Sequence, residues 1–348
     1  MQSGAYILPD AQIEQLIAAK QVSAARRIEA AQIQPASLDL RLGDVAYRVR
    51  ASFLPRADGR MRDAMRRAAA HKLHLREGAV MEVGCVYLAQ LQERLQLPRE
   101  IAARANPKSS IGRVDVFVRV LSEKGEAFDT IPAGYRGPLY LEISPRSFPI
   151  RVEAGLALAQ LRFLRSRTAP PLSLVSEEDE PPRRDLVLHA QLGAAGGNRP
   201  IGFRARKHTT VLDLQAQNLA VRDFWEEVSA EPNGGLVLEP DSFYILAARE
   251  KVVVPAAQAA EMRPFDPLIG EFRVHYAGFF DPGFGGSSGA KAVLEVRSRE
   301  VPFLLRDGQI VGRLHYMPLA AAAQTPYHAK AGAHYNAQGL RLSKHFRQ

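Results

Sequence analysis

The sequence predicts a mainly β protein with short helices, built as two tandem copies of one folding unit. Three observations carry that expectation. Leu141-Glu142 is followed by the turn glycine Gly155, and Leu294-Glu295 by Gly308, at the same interval in both copies. Further echoes run in the same order: Ser37-Leu38-Asp39-Leu40 returns as Thr210-Val211-Leu212-Asp213-Leu214, and Tyr87-Leu88-Ala89 as Tyr244-Ile245-Leu246-Ala247. Self-similarity at one offset marks a duplicated unit. Finally, short apolar runs punctuated by Gly and Pro argue for a sandwich or barrel.

Taken in order, Pro9-Asp10 opens onto Ile13, Leu16 and Ile17, the spacing of an amphipathic helix, with Asp10 as its cap. From Ile33 to Gly43 apolar and polar residues alternate, the period of a half-buried strand. Strands are expected over 80–91, 114–120, 139–143 and 156–164. The Ala-rich stretch with Arg60, Arg62, Arg66, Arg67 and Lys72 reads as a helix with a solvated basic face. From Thr168 to Pro200, Pro170-Pro171, the acidic run 177–180, Pro181-Pro182 and Gly196-Gly197 mark an irregular connection. The expected units are therefore 1–167, a linker over 168–200, and 201–348.

Composition narrows the class. The 348 residues have room for two domains, each burying its own core. No apolar run approaches the ~18 residues that span a bilayer, and the N-terminus lacks the order of a secretory signal. The single cysteine, Cys85, excludes an intrachain disulfide and suits a reducing cytoplasm. It reads as a small buried hydrophobe in a strand. A net charge of +9 fits nucleic acid or a small polyanion such as a nucleoside triphosphate, and charge alone does not separate them.

Two regions concentrate chemistry. Asn106 to Arg113 (Asn-Pro-Lys-Ser-Ser-Ile-Gly-Arg) gathers two hydroxyls and two cations in a short run, a phosphate-cradling composition. Each repeat also carries a glutamate, Glu142 or Glu295, in an apolar setting where a carboxylate needs a partner or a task. Asp39 and Asp213 read as caps for local backbone N–H groups. Gly283 to Gly289 lacks the strand-then-helix context of a dinucleotide loop and reads as a hairpin tip.

Ile33 to Gly43, Ser109-Ser110-Ile111-Gly112-Arg113, and Ala277 to Phe284 with Leu294-Glu295 resemble the dCTP deaminases of the trimeric dUTPase-like superfamily. Tyr327, His334-Tyr335, Gln338 and Gly339 keep the spacing of that family's nucleotide-closing tail, with His334 where lysine is usual. The resemblance spans nearly the whole chain. It implies two dUTPase-like domains (distorted barrels of the β-clip type) and metal-independent hydrolysis of dCTP to dUTP and ammonia, supplying dUTP for thymidylate synthesis. A glutamate is general base and acid in that reaction. Zinc deaminases need a His/Cys set with a P-C-x-x-C element, which one cysteine cannot supply.

The copies differ in what they keep. The first retains Ser109, Ser110 and Arg113 but has Pro132 where the family carries aspartate. The second retains Ala277, Asp281, Pro282 and Gly283 before Glu295, but Pro264 to Leu268 has neither hydroxyls nor arginine. The resemblance therefore implies one composite site. Glu295, Ser109, Arg113 and the Ala277 carbonyl would carry catalysis, and Lys108, Ser110, Asp281, Tyr327, His334 and Gln338 would bind substrate. Glu142 would be a relic paired with an arginine, or a second base.

No metal ligand is expected from the protein, and Mg2+ would accompany the triphosphate. The expected partners are dCTP, dUTP as product or inhibitor, and further copies of the chain in a trimeric or pseudo-trimeric assembly, with neither nucleic acid nor membrane. The rival readings are a dUTP diphosphatase, a bifunctional deaminase–diphosphatase, and a non-catalytic nucleotide-binding regulator. Whether the two halves of the site meet within one chain or between chains is left open by the sequence.

Overall fold

The computed structural model describes residues 5–55, 60–166, 185–193, 200–232, 234–264, 272–274, 278–298, 301–330, 334–335 and 338–347. The architecture is mainly β. In the first lobe one large sheet runs through strands 116–122, 136–145, 86–96, 38–49, 157–166, 101–107 and 130–131, in that spatial order. Among the described residues the second lobe holds three sheets. One orders strands 186–189, 310–318, 258–264 and 279–280, another 225–228, 202–205, 243–252, 290–298 and 272–274, and the third pairs 235–238 with 303–306.

The repeat is visible in the register. Glu142 stands opposite Leu88 on the neighbouring strand, and Glu295 stands opposite Ile245. Leu88 and Ile245 each follow the echoed tyrosine. The tyrosines themselves repeat a contact, for Tyr87 Oη accepts from the Glu82 N–H at 2.9 Å and Tyr244 Oη from the Glu239 N–H at 3.0 Å. Gly155 and Gly308 both sit at positive φ, 92° and 74°, which a side chain would strain. Sequence and fold therefore repeat together.

The expectation of two separately buried cores is corrected. The largest apolar cluster begins in the first lobe but also takes in Leu212, Leu214, Trp225, Phe243, Ile245 and Phe346. Phe148 meets Phe224 and Trp225 edge-on at centroid distances of 5.5 and 5.4 Å, and Trp225 meets Phe346 at 6.0 Å. Strand 150–152 pairs with 212–213 across the lobes. Burying these aromatics in common makes the halves one packed body. A second cluster, centred on Leu246, Leu294 and Leu314, belongs to the second lobe alone.

Several local expectations are refined. The first helix spans Asp10–Ala18 with Pro9 at its N-cap, so Asp10 does not cap it. Its carboxylate instead accepts the N–H groups of Gln324 and Thr325 at 2.9 and 2.8 Å, tying down the start of the C-terminal segment. The strand expected to end at Gly43 runs from Leu38 to Val49. At Gly43 a Cβ would lie 2.6 Å from the Gln90 carbonyl oxygen, so the glycine permits close strand approach where the register shifts. The basic stretch forms a helix over Met61–Ala68 that buries Met61 and Met65.

Cys85 lies just before strand 86–96 and is only partly buried against the core. Residues 282–289 form a turn whose first half is buried, so only Ser287 and Ser288 stand out as its exposed tip. The linker expected over 168–200 is corrected for 186–189. There Leu186-Val187-Leu188-His189 adds a strand to the second lobe, with Leu188 fully buried against strand 310–318. Three apolar residues of its four are enough to hold a strand despite the proline-rich approach. Among the described residues no helix is long and apolar enough to cross a membrane.

Candidate active site between the lobes

Strand 101–107 ends at Pro107, which has no N–H to continue the ladder. The chain then makes one helical turn over Ser109–Gly112, closed by the Ile111 N–H on the Lys108 carbonyl at 2.8 Å and the Arg113 N–H on that of Ser109 at 3.1 Å. This turn presents Lys108, Ser109, Ser110 and Arg113 to a cavity of about 350 Å³. Glu295, from strand 290–298 of the second lobe, lines the same cavity, as do Asp281, Tyr327 and His334. The composite arrangement thus closes within a single chain. Ala277 lies outside the described residues, and its neighbours Gly278, Phe279 and Phe280 line the cavity.

Arg113 is the most constrained of these groups. It is buried, its guanidinium lies 3.9 Å from the centre of the Tyr335 ring, and it donates to Gln338 Oε1 at 2.9 Å and the Arg341 carbonyl at 3.1 Å. Burial pulls the guanidinium below its ordinary range, and the nearby Tyr335, Glu295 and Tyr327 oppose that pull. Glu295 is 6% exposed and within electrostatic reach of Arg113. A carboxylate so enclosed beside a fixed cation is suited to trading a proton with a trapped water.

Gln338 does not line the cavity. Its Oε1 takes the Arg113 bond while its Nε2 donates to the Lys291 carbonyl at 3.0 Å, on the strand that carries Glu295. It sits behind the cavity wall and links Arg113 to that strand. Tyr327 is fixed by its N–H on the Pro282 carbonyl at 2.7 Å, and its hydroxyl accepts from the Tyr335 N–H at 3.3 Å. Burial raises its phenol well above the ordinary value. His334 is exposed, and partial burial together with Lys344, Arg341 and Lys108 lowers its pKa, which leaves it neutral near pH 7.

The C-terminal segment is anchored beyond these residues. Leu342 and Phe346 are buried, Ser343 Oγ donates to the Ser110 carbonyl at 2.8 Å, and Leu219 exchanges backbone bonds with His345 and Arg347. The tail is therefore part of the phosphate-loop wall.

Sequence reasoning missed several lining residues. Asp39, read as a local cap, instead accepts from Lys108 Nζ and from Gln34 Nε2, the latter at 3.1 Å, and lines the cavity. Asp213, its repeat counterpart, does cap locally, accepting the Gln215 N–H at 2.9 Å. Lys330 and Lys344 add two cations that tail spacing alone did not flag. Burial lowers the pKa of both, and their attraction to Asp39 (and, for Lys330, to Asp281) works against that. Loss of hydration and the facing Asp39 push Asp281 up to about 7. The cationic surplus favours a polyanion.

The first repeat's glutamate has no such cavity around it. Glu142 is 1% exposed and ion-paired with Arg119, which stands directly opposite it across the strand pair. Arg119 in turn stacks over Phe128 at 3.5 Å and donates to Ser52 Oγ at 2.8 Å. Arg119 is thus held between the carboxylate, a ring and a hydroxyl, and it balances the charge of Glu142. Of the region aligning with the second repeat's lost phosphate loop, 265–270 lies outside the described residues.

Comparison with known proteins yields a consistent set of matches. A family model described as the 2'-deoxycytidine 5'-triphosphate deaminase N-terminal domain matches residues 4–167, and the corresponding C-terminal domain model matches 168–346. The crystal structure of 2'-deoxycytidine 5'-triphosphate deaminase from Agrobacterium tumefaciens superposes with a TM-score of 0.83 at 49% identity, covering 90% of this chain and 99% of that one. Two curated relatives align with less than half of the chain. "dCTP deaminase, dUMP-forming" of Persephonella marina is 28% identical over 162 residues, covering 46% of this chain and 83% of that protein. The protein of the same name from Methanoculleus marisnigri is 34% identical over 148 residues, 41% of this chain and 72% of that one.

Proposed function

We propose that this chain, which belongs to the 2'-deoxycytidine 5'-triphosphate deaminase family, hydrolyses the 4-amino group of dCTP in the cavity between its lobes and releases dUTP and ammonia. The observation that carries this reading is the presence of Glu295 in one cavity with Ser109, Ser110 and Arg113. A non-catalytic regulator would have no use for a buried carboxylate facing the phosphate loop.

Each group has a task. Glu295 takes a proton from water as the water oxygen bonds to C4 of the cytosine ring, and passes that proton to N3, leaving a tetrahedral C4 that carries a hydroxyl and the amine. Glu295 then takes the hydroxyl proton and gives it to the amine as the C4–N bond breaks, so ammonia leaves and the C4 carbonyl forms. Arg113 holds the glutamate ionised between turnovers, Ser109 holds the water, and the Ala277 carbonyl is the candidate for its second acceptor. Ser110, Lys108, Lys330 and Lys344 meet the triphosphate, Asp281 meets the sugar side, and Tyr327 and His334 border the opening.

Among the described residues no group of three or more His, Cys, Asp or Glu side chains stands together. A Mg2+ ion accompanying the substrate would be held by triphosphate oxygens, hard ligands that suit it, and would neutralise their charge.

The product distinguishes this reading from a bifunctional one. The curated relatives quoted above are named dUMP-forming, but they match less than half of the chain at 28–34% identity. The Agrobacterium protein, 49% identical with 90% of this chain covered, is named a deaminase without that qualifier. Pro132, where the family carries aspartate, also removes a carboxylate from the first repeat. Incubation with dCTP should yield ammonia and dUTP in equal amounts with no pyrophosphate. Pyrophosphate rising in step with ammonia would establish the dUMP-forming reaction instead.

A further inference from the structure

Besides the partly exposed Arg151–Asp213 pair, two more deeply buried ion pairs outside the cavity cross between the lobes. In the first, Arg162, 2% exposed on strand 157–166, donates to Glu261 Oε1 of the second lobe at 2.6 Å and to Asn106 Oδ1. Asn106 Nδ2 donates to the same glutamate oxygen at 3.2 Å, closing a triangle. Asn106 lies three residues before Ser109, at the root of the phosphate loop. Glu261 stands opposite Phe279 in the strand pair, and the Arg162 guanidinium lies 4.5 Å from the centre of the Phe279 ring, itself a cavity wall.

In the second, Arg297 of the second lobe pairs with Asp115, whose side chain is fully buried in the first lobe. Arg297 also donates to Ser147 Oγ at 3.2 Å and to the Asp241 carbonyl at 2.6 Å. Asp115 follows Arg113 by two residues, and Arg297 follows Glu295 by two. The catalytic arginine and glutamate are thus each bonded through a near neighbour to the opposite lobe. The polarity alternates: the first lobe supplies the cation in one pair and the anion in the other. A slide of one lobe against the other would break both pairs.

We propose that Arg162–Glu261 with Asn106, and Arg297–Asp115, are positioning residues that hold the phosphate-loop half and the glutamate half of the site at the separation the reaction needs. The proposal rests on the deaminase reading above. Stability alone is a poor account of these pairs. Removing two charges from water costs about as much as their attraction returns, and apolar replacements of similar volume are often neutral or stabilising. Position is a better one, since a misplacement of about 1 Å can lower a rate on the order of a hundredfold.

The test is a kcat-against-KM comparison on two double variants, Arg162→Met/Glu261→Met and Asp115→Asn/Arg297→Gln, alongside wild type. Both should unfold cooperatively near the wild-type temperature and keep the KM for dCTP within about threefold, while kcat for ammonia release falls roughly ten- to hundredfold. A folded double variant with wild-type kcat overturns the proposal, as does a loss confined to KM. If neither variant folds, the pairs are structural and the proposal fails on that ground. If wild type itself releases no ammonia from dCTP, the deaminase reading fails, and the positioning role goes with it.

Discussion

Arg113 and Gln338, 225 residues apart in sequence, share a 2.9 Å hydrogen bond that joins the phosphate loop to the C-terminal tail. Through its other amide atom Gln338 reaches the Lys291 carbonyl, four residues before Glu295. One side chain therefore ties both halves of the site to the tail. Its loss would leave the buried Arg113 short of an acceptor and remove one of the bonds that hold the start of the Glu295 strand.

Gln338→Leu should accordingly cost about 1–3 kcal/mol of stability, the penalty for orphaning a buried donor. It should also lower kcat for ammonia release. Urea denaturation and steady-state assays on the same preparation would check both. Unchanged stability with unchanged turnover would mean that the bridge carries no weight.

Glu295→Gln keeps the shape of the side chain but removes its proton-accepting charge. Ammonia release should become undetectable, while calorimetric titration with dCTP should give a Kd within a few-fold of wild type. Retained turnover would remove Glu295 from the mechanism.

The first repeat offers a control. Glu142→Gln weakens the pair with Arg119 and should destabilise the fold by about 1–3 kcal/mol. Turnover per folded molecule should stay at the wild-type level. A matching fall in kcat, measured on protein shown to be folded, would make Glu142 a second base.

Asp281 supplies the pH dependence. Its pKa rises to about 7 in the fold from an ordinary value of 3.8, so the folded state holds its proton more tightly than the unfolded state does. The stability this contributes is present below the unfolded pKa and is lost as pH rises through about 7. Asp281→Asn cannot ionise, so its melting temperature relative to wild type should increase between about pH 5 and 8. A constant difference across that range would show that the carboxyl is not held neutral.

Much of this architecture was legible because repetition is a pattern the chain states twice. Tyr87 and Tyr244, Gly155 and Gly308, and Glu142 and Glu295 all occupy matching places in the two lobes. That Glu295 rather than Glu142 would meet Ser109 and Arg113 was legible too, since the residues flanking each glutamate differ in kind. Tertiary roles were not. Asp39 and Asp213 look alike in sequence, yet Asp39 pairs with Lys108 in the cavity lining, while Asp213 caps a turn and pairs with Arg151 outside it. The bond of Gln338 to Arg113 was likewise invisible in its spacing, because it joins residues 225 apart. The shared core escaped prediction because alternation shows that Trp225 and Phe346 are apolar but not which lobe they bury against.

The central claim is that one chain holds a complete site. Co-expressing two differently tagged chains, one Glu295→Gln and one Arg113→Met, and assaying the mixed product for ammonia release from dCTP tests it most directly. Each chain then carries one defect in its own site, so the co-expressed protein should be no more active than either variant alone. Restored turnover in complexes carrying both tags would contradict the account, because it requires Arg113 of one chain to work with Glu295 of another.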